Sequence, residues 1–288
     1  MFPIAYITDE ATQSFEEAVR LAKELDLQGL ELRSVEDTPI DQIDETTLKA
    51  YAEVLEREGL QVIALASSFY KDYLDTPGVT DAEMAKLERL CDAADILGTT
   101  FIRGFAGLSR DGVQTPVAEL LPYFEAPHRL LEARGKIILL EADPHVNTSN
   151  HATIAELLAK LDPQVFGAIY DPGNSLYDPL KETPFPNGYE SLGEHLRHVH
   201  IKDVRYDEND EPYCLKIGDG LVPYQDLLQR LKDDGYKGWL SLETHYRKDT
   251  QLTDEQMLFP QGSAFSAGGI EAMMESTASL KAMLDQLH

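Results

Sequence analysis

The chain has few cysteines, no long apolar run and no glycine-rich nucleotide-binding motif. Cys91 and Cys214 are the only thiols among 288 residues and form no CxxC pair, so no disulfide framework is expected and a reducing cytoplasm is the predicted location. No apolar run reaches membrane-spanning length, and the opening segment MFPIAYITDEATQ lacks the basic region of a signal peptide. Because no GxGxxG follows any strand-like segment, a Rossmann-type layout is the weaker alternative.

Positive charge is also scarce. The 25 Lys and Arg residues oppose 51 Asp and Glu, which gives a formal net charge of -26. Proteins that bind nucleic acids or anionic membranes need the opposite balance, because Lys and Arg supply their affinity. We therefore expect neither partner. A hydrophobic content of 43% and a charged content of 26% indicate a folded chain with a sizeable core.

Strand-like and helix-like segments alternate along the whole sequence. Short apolar, β-branched runs predict eight strands at 3–8, 29–35, 60–68, 99–105, 136–142, 166–171, 196–204 and 238–244. Amphipathic periodicity predicts helices at 14–26, 46–58, 81–97, 116–134, 151–161, 189–195, 224–234 and 271–287. Ser14 and Glu17 fit a capping box at the start of the first helix.

Eight βα units in strict alternation favour an α/β fold with a closed parallel sheet. The prediction is a single-domain (β/α)8 TIM barrel over residues 1–288, with no linker that divides it. The segment KIILLEA is apolar on both faces, as expected for a parallel strand covered by helices. In such barrels reactive side chains lie where strands end, so polar residues at these ends are informative.

Four polar residues occupy the last four strand ends. Glu141, Asp171, His200 and Glu243 are separated by 30, 29 and 43 residues, so each belongs to a different βα unit. Taken singly, each carboxylate could be a helix cap or an ion-pair partner, and His200 could be a core histidine. Together they form a mixed oxygen and nitrogen set suited to one divalent ion, Mn²⁺, Mg²⁺, Co²⁺ or Zn²⁺. A divalent cation would also relieve the repulsion among three convergent carboxylates.

The segments GLELRS, LLEADPH, YDPGNS, HVHIKDVR, IGDGLVPY and LSLETH, in this order, resemble the sugar phosphate isomerase/epimerase family with a xylose isomerase-like barrel. The resemblance covers essentially the whole chain but does not specify a substrate. It implies that Glu141, Asp171, His200 and Glu243 are the metal ligands. It further implies that Glu141 and Glu243 act as an acid/base pair on opposite faces of a carbohydrate substrate. Arg205 resembles the family's contact to a substrate oxygen, with a surface ion pair as the alternative.

Other residues near the strand ends are candidate substrate contacts. Asn174 could meet a substrate hydroxyl or cap its turn, and His145 follows Glu141 in the same loop. Glu31 and Arg33 could form a structural ion pair or face the substrate. His198 is predicted to be structural, Lys202 and Asp203 are predicted to pair with each other, and Gly218 and Gly220 are predicted to form a turn. Arg33, Arg103 and Arg205 could bind a substrate phosphate or form ion pairs with acidic residues.

The resulting hypothesis is a metal-dependent sugar isomerase or epimerase. One glutamate would remove a proton next to a carbonyl, the metal would stabilise the enediolate, and the second glutamate would return the proton. A lyase or dehydratase acting on an inosose-, dehydroshikimate- or 3-keto-glycoside-type substrate stays open, since the same carbanion can eliminate a leaving group. A barrel that only binds metal or sugar is a further alternative, and homo-oligomers are common on this fold. The related three-metal endonucleases need extra histidines where this chain has ALASSF, FIRGF and DPGN. The sequence therefore disfavours an endonuclease.

Overall fold

Eight parallel strands close into a barrel in the computed structural model, which describes residues 2–288. The strands are β1 (Ile4–Ile7), β2 (Gly29–Leu32), β3 (Gln61–Phe69), β4 (Phe101–Gly104), β5 (Ile137–Leu140), β6 (Phe166–Tyr170), β7 (Leu196–Ile201) and β8 (Leu240–Leu242). Each strand pairs with its neighbours in sequence, and β1 closes the ring by pairing with β8 through Ala5 and Ser241. The predicted (β/α)8 barrel is therefore confirmed.

The principal helices lie between the strands and cover the barrel. They are α1 (Phe15–Glu24), α2 (Glu45–Glu58), α3 (Val79–Leu97), α4 (Glu125–Arg134), α5 (His151–Leu158), α6 (Tyr189–Leu192), α7 (Tyr224–Asp233) and α8 (Gly269–Leu284). Asp44 begins α2 by accepting hydrogen bonds from Thr46 N and Thr47 N, and Gly59 ends it at a φ of 68°. Among residues 2–288, none of the helices combines the length and apolar character that crossing a bilayer requires.

The core consists of apolar side chains from both faces of the strands. Ile138, Leu139 and Leu140 of β5 are all fully buried, because one face fills the barrel and the other lies under helices. Burying apolar surface is the main favourable term in folding, at about 25 cal/mol per Å². This rigid core holds the strand ends in place.

Some predicted boundaries were wrong for local reasons. The 116–134 helix is divided into Val117–Leu120, a 3₁₀ turn at Leu121–Phe124 and α4, because Pro122 lacks an N–H and cannot continue a regular helix. The predicted 196–204 strand ends at Ile201, and Asp203–Tyr206 instead pairs with Pro212–Leu215 in an antiparallel hairpin. The capping box is half made: Ser14 caps Glu17 N, but the Glu17 carboxylate accepts from Thr12 Oγ1 at 2.8 Å.

Candidate metal centre and cavity

Four side chains converge at the carboxyl ends of β5 to β8. Glu141, Asp171 and Glu243 each follow the last residue of a strand, and His200 lies near the end of β7. All four are buried, and one ligand atom from each lies within 4.8 Å of the others. The structure thus brings together the four residues that the sequence singled out, called the quartet below.

His200 is held between carboxylates on both edges of its ring. Its Nδ1 lies 2.6 Å from Glu141 Oε1 and 3.3 Å from Glu243 Oε2. On the other edge, Nε2 lies 3.2 Å from Glu31 Oε2, which also lies 3.1 Å from His198 Nε2. With Glu31 accepting from Nε2, the Nδ1 atom is the one that faces the quartet. His198 lies one layer deeper, as its spacing of two residues predicts.

Asp171 owes its position to the turn that follows β6. Its Oδ1 accepts from Gly173 N at 2.9 Å and Asn174 N at 3.3 Å, so the carboxylate caps the short helix Pro172–Ser175. A Cβ on Gly173 would lie 2.8 Å from the Lys202 carbonyl oxygen, so this turn requires glycine. Asp171 Oδ2 lies 2.8 Å from Lys202 Nζ, but outside hydrogen-bonding geometry, and has no hydrogen bond.

Three buried cations surround the quartet. Arg103 Nη1 donates to Glu141 Oε2 at 3.0 Å and to Glu243 Oε1 at 3.1 Å. Arg33 Nη1 donates to the same Glu243 oxygen at 2.9 Å. Lys202 Nζ donates to Glu243 Oε2 at 3.1 Å. The two glutamates are therefore joined through one guanidinium nitrogen and one imidazole nitrogen.

These charges shift the pKa values of the quartet in different directions. Burial and Glu243 raise the pKa of Glu141, but Arg103 and His200 outweigh them and hold it below its ordinary value. Burial likewise opposes ionisation of Glu243, yet Lys202 and His200 hold its pKa well below the ordinary value. The pKa of Asp171 is raised, because burial together with the nearby Glu243 and Glu141 outweighs Lys202. The cations therefore prevail at the two glutamates, whereas burial and the neighbouring carboxylates prevail at Asp171.

The quartet fits a divalent metal ion. It offers three carboxylates and one imidazole nitrogen, a donor set that suits Mg²⁺ or Mn²⁺ as well as Zn²⁺. Asp171 Oδ2 has no hydrogen bond, so this oxygen can take a metal ion although Lys202 Nζ lies 2.8 Å away. Glu31 behind His200 supplies the outer carboxylate that orients metal-bound histidines.

Two other groups of possible ligands share members with the quartet. Glu31, His198 and His200 form one group, but Glu31 is already bonded to both histidines. Glu10, Glu243 and His245 form the other, which offers three ligands where the quartet offers four, and Glu10 is already paired with Arg33 Nη2 at 2.7 Å. The quartet is therefore the better candidate.

A cavity of about 690 Å³ opens above the quartet. Its inner wall includes Glu141, Glu243, Arg103 and Lys202. Its outer wall comes from the hairpin after β7 and the loop after β8, with Tyr213 and Met257 among the lining residues. A volume of this size is within the range of small-molecule sites, and the buried charged groups lie at its inner end.

The five predicted substrate contacts divide into two groups. Asn174 and His145 line the cavity. Glu31 does not, because β2 directs it into the barrel beneath His200. Arg33 does not line it either, since Asp9, Glu10 and Glu243 hold its guanidinium. Arg205 is exposed on the hairpin and also lies outside the lining.

The predicted pairing of Lys202 with Asp203 is wrong. His198, His200 and Lys202 alternate onto the inner face, which directs Asp203 to the other side of the chain. There Asp203 Oδ2 accepts from Gly218 N at 2.8 Å and Gly220 N at 2.9 Å. The Asp203 carboxylate thus accepts hydrogen bonds from the backbone N–H groups of the IGDG segment. The prediction that Gly218 and Gly220 form a turn is confirmed.

Four side chains that touch the quartet were not recognised from the sequence as its partners: Lys202, Arg103, Arg33 and Glu31. Lys202 could have been found by extending the two-residue alternation of His198 and His200 by one step. Arg103 lies in β4 next to the end of that strand, so its position at the rim was predictable. Its two glutamate partners come from β5 and β8, and no local pattern identifies them.

Comparisons with known proteins agree with the barrel fold. The family model described as xylose isomerase-like TIM barrel matches residues 19–266. An inosose dehydratase from Clostridium beijerinckii is 22% identical over 213 residues, covering 64% of this chain and 70% of the relative.

Solved structures share the fold at low identity. The probable 3-DHS dehydratase AsbF of Bacillus anthracis has a TM-score of 0.73 at 19% identity, over 97% of this chain and 99% of the other. The 3-keto-D-glucoside 4-epimerase YcjR of E. coli has a TM-score of 0.69 at 16% identity, over 98% and 100%. A Mycobacterium smegmatis barrel in complex with magnesium has a TM-score of 0.68 at 16% identity, over 97% and 98%. The chain belongs to the family of xylose isomerase-like TIM barrels.

Proposed function

We propose that the protein is a divalent metal-dependent enzyme that moves a proton next to the carbonyl of a keto sugar or cyclic polyol ketone. The convergence of Glu141, Asp171, His200 and Glu243 is the observation that carries this proposal, and Glu141 and Glu243 also line the cavity. These four residues would hold the ion. When bound, the ion would supply positive charge where negative charge develops on the substrate oxygens.

The two glutamates are the proposed acid/base pair. Both have depressed pKa values, so both are ionised near neutral pH and each can accept a proton. Glu141 comes from the end of β5 and Glu243 from the end of β8, so they approach a ligand from different sides of the barrel. A positioned carboxylate contributes roughly 10²–10⁴-fold in rate. Proton return to the opposite face gives an epimer, and return to the neighbouring carbon gives an isomer.

The chain's other buried groups would position and neutralise these two carboxylates. Arg103 bridges Glu141 and Glu243, which fixes their separation. Asn174 accepts from Lys202 Nζ at 3.1 Å and donates to the Ala142 carbonyl at 2.8 Å, so its amide is fixed at the cavity wall. Preorganised groups of this kind need little rearrangement when charge develops.

A dehydratase is the second candidate, favoured by the names of the relatives. Inosose dehydratases are among the similar sequences, and a probable 3-DHS dehydratase is among the similar structures. If the substrate carries a leaving group β to the carbonyl, the same proton abstraction would lead to elimination. Lys202 lines the cavity, and because its Nζ already donates to Asn174 Oδ1 and Glu243 Oε2, one N–H at most would be left to face that leaving group.

Solvent-deuterium exchange tests the proposal. We expect the Mn²⁺-loaded protein to incorporate deuterium from D₂O into a keto-sugar or inosose substrate, and E141Q and E243Q to lose at least 10²-fold of that exchange. E271Q, a change on the outer helix α8, is the matched control and should exchange at the wild-type rate. Undiminished exchange in both E141Q and E243Q would refute the assignment. Product mass then separates the classes, because isomers keep the substrate mass and elimination removes the mass of water.

A further inference from the structure

Each cation close to the inner cavity has a carboxylate partner. Lys71 Nζ lies 2.8 Å from Asp143 Oδ2, and the other Asp143 oxygen accepts from His145 N at 2.9 Å. Arg103 donates to both Glu141 and Glu243, as described above. Lys202 contacts both Asp171 and Glu243. A ligand anion would have to compete with a carboxylate for each of these groups.

The two basic residues after β8 are also occupied. Arg247 donates to the Tyr246 and Phe265 carbonyls, and its guanidinium stacks 5.1 Å from the Phe265 ring centre. His245 Nδ1 lies 3.0 Å from Glu10 Oε1. The carboxylate that faces both residues is Glu10, whose Oε2 lies 3.8 Å from Arg247 Nη1.

The unpaired charges at the cavity are negative. Glu211 on the hairpin and Asp254 in the loop after β8 both line the cavity and are exposed. Neither forms a salt bridge within residues 2–288. The net charge of -26 adds a long-range repulsion of anions.

We infer that the substrate is an uncharged polyhydroxy ketone, without a phosphate or carboxylate group. This inference rests on the proposed function and narrows its substrate class. Burying an anion costs several kcal/mol unless a partner compensates for lost hydration. Here every described Lys and Arg of the lining already has a carboxylate neighbour, at 3.8 Å for Arg247 and closer for the others. Glu211 and Asp254 would in addition repel the charge of the ligand. Hydroxyl groups, in contrast, can donate to the exposed carboxylates and accept from side-chain N–H groups.

Matched ligand pairs test the inference on the Mn²⁺-loaded protein. The probes are D-fructose with D-fructose 6-phosphate, and scyllo-inosose with 3-dehydroshikimate, each titrated by ligand-observed NMR. At least one neutral member should bind, with its charged partner at least tenfold weaker. Equal or tighter binding of a charged member would overturn the inference.

Two variants probe the cause of that preference. D143N removes the carboxylate partner of Lys71 and should raise the affinity for D-fructose 6-phosphate at least tenfold, with the gain abolished in D143N/K71M. E211K places a cation at an exposed position of the cavity wall, where a substitution should not impair folding. It should raise the affinity for D-fructose 6-phosphate relative to E211Q. If neither D143N nor E211K gains affinity, charge matching does not control binding and the inference is wrong.

Failure of the inference differs from failure of the proposed function. Deuterium exchange into D-fructose 6-phosphate or 3-dehydroshikimate, dependent on Glu141 and Glu243, would support the function while overturning the neutral substrate class. If no probe in either pair binds or exchanges, the proposed function fails and the inference fails with it.

Discussion

Lys202 Nζ lies 2.8 Å from Asp171 Oδ2, so an ammonium group of the chain itself rests against a proposed metal ligand. The same nitrogen lies 3.1 Å from Glu243 Oε2. Burial lowers the pKa of Lys202, but Asp171 and Glu243 outweigh this effect and hold it well above its ordinary value. The lysine therefore supplies part of the positive charge that a divalent ion would otherwise supply.

Replacing Lys202 should make the protein without metal less stable and its metal affinity higher. Removing one member of a buried ion pair costs about 3–5 kcal/mol, so K202M without added metal should unfold at lower urea concentration. Mn²⁺ affinity, measured by calorimetry, should rise at least tenfold, because unit charges about 4 Å apart interact by about 4 kcal/mol at an effective dielectric constant near 20. K71M removes a half-buried lysine that does not touch the quartet and should leave Mn²⁺ affinity unchanged. Weaker Mn²⁺ binding in K202M would show that Lys202 supports the metal site.

Glu31 should control metal binding through His200 although it does not line the cavity. Burial raises the pKa of Glu31, but His200 and His198 hold it well below the ordinary value, so it is an ionised acceptor for both rings. In E31Q the amide can donate to His200 Nε2 and favour the tautomer that carries its proton on Nδ1, the atom facing the quartet. Outer-shell changes of this type cost roughly 10–100-fold in metal affinity. Calorimetric titration of E31Q with Mn²⁺ that matches the wild type would contradict this role.

The sequence predicted the barrel and the quartet because both depend on local patterns. Alternating βα units specify a parallel sheet, and each quartet residue is recognisable as a polar residue at the end of an apolar strand. The roles of Glu31 and Arg33 depend on which strands become neighbours and how deep each side chain lies. Glu31 meets His200 across the barrel interior, and Arg33 meets Glu243 because β1 brings β2 and β8 together.

The predicted positions of Arg205 and Lys202 were wrong because the strand that precedes them ends earlier than the sequence pattern indicates. A continuous strand over 196–204 would place Arg205 close to the rim, but the hairpin begins at Asp203 and leaves Arg205 exposed. The inward alternation continues as far as Lys202. Lys202 is thus a buried partner of the quartet, whereas the chain changes direction at the next residue, Asp203. Sequence patterns locate the ends of strands only to within a few residues.

Metal loading should stabilise the protein through Asp171. At a free Mn²⁺ concentration of 100 times Kd, a single site adds about 2.7 kcal/mol to the free energy of unfolding. D171N keeps an oxygen for the turn but loses the charge, so we expect a smaller increase at the same Mn²⁺ concentration. Urea unfolding with EDTA and with Mn²⁺ measures both values. Equal stabilisation of D171N and wild type would remove Asp171 from the ligand set.

Glu182 should make stability depend on pH at a position away from the quartet. Its Oε2 lies 2.7 Å from His151 Nδ1, and its two oxygens accept from His151 N at 3.1 Å and Ala152 N at 3.0 Å at the start of α5. Burial raises the pKa of Glu182, but these bonds outweigh it and hold the pKa below the ordinary value of 4.5. The carboxylate therefore stabilises the fold above pH 4.5, and this contribution is lost as pH falls through the lower folded-state pKa.

E182Q should accordingly cost about 1.5–3 kcal/mol near neutral pH, the range for a charge-assisted hydrogen bond. The difference in unfolding free energy between wild type and E182Q should shrink as the pH is lowered below 4.5. Urea unfolding of both proteins across this interval measures it, with E194Q at an exposed position as the control. A difference that stays constant through the acid range would mean that the amide replaces the carboxylate without loss, and that the charge on Glu182 does not hold the start of α5.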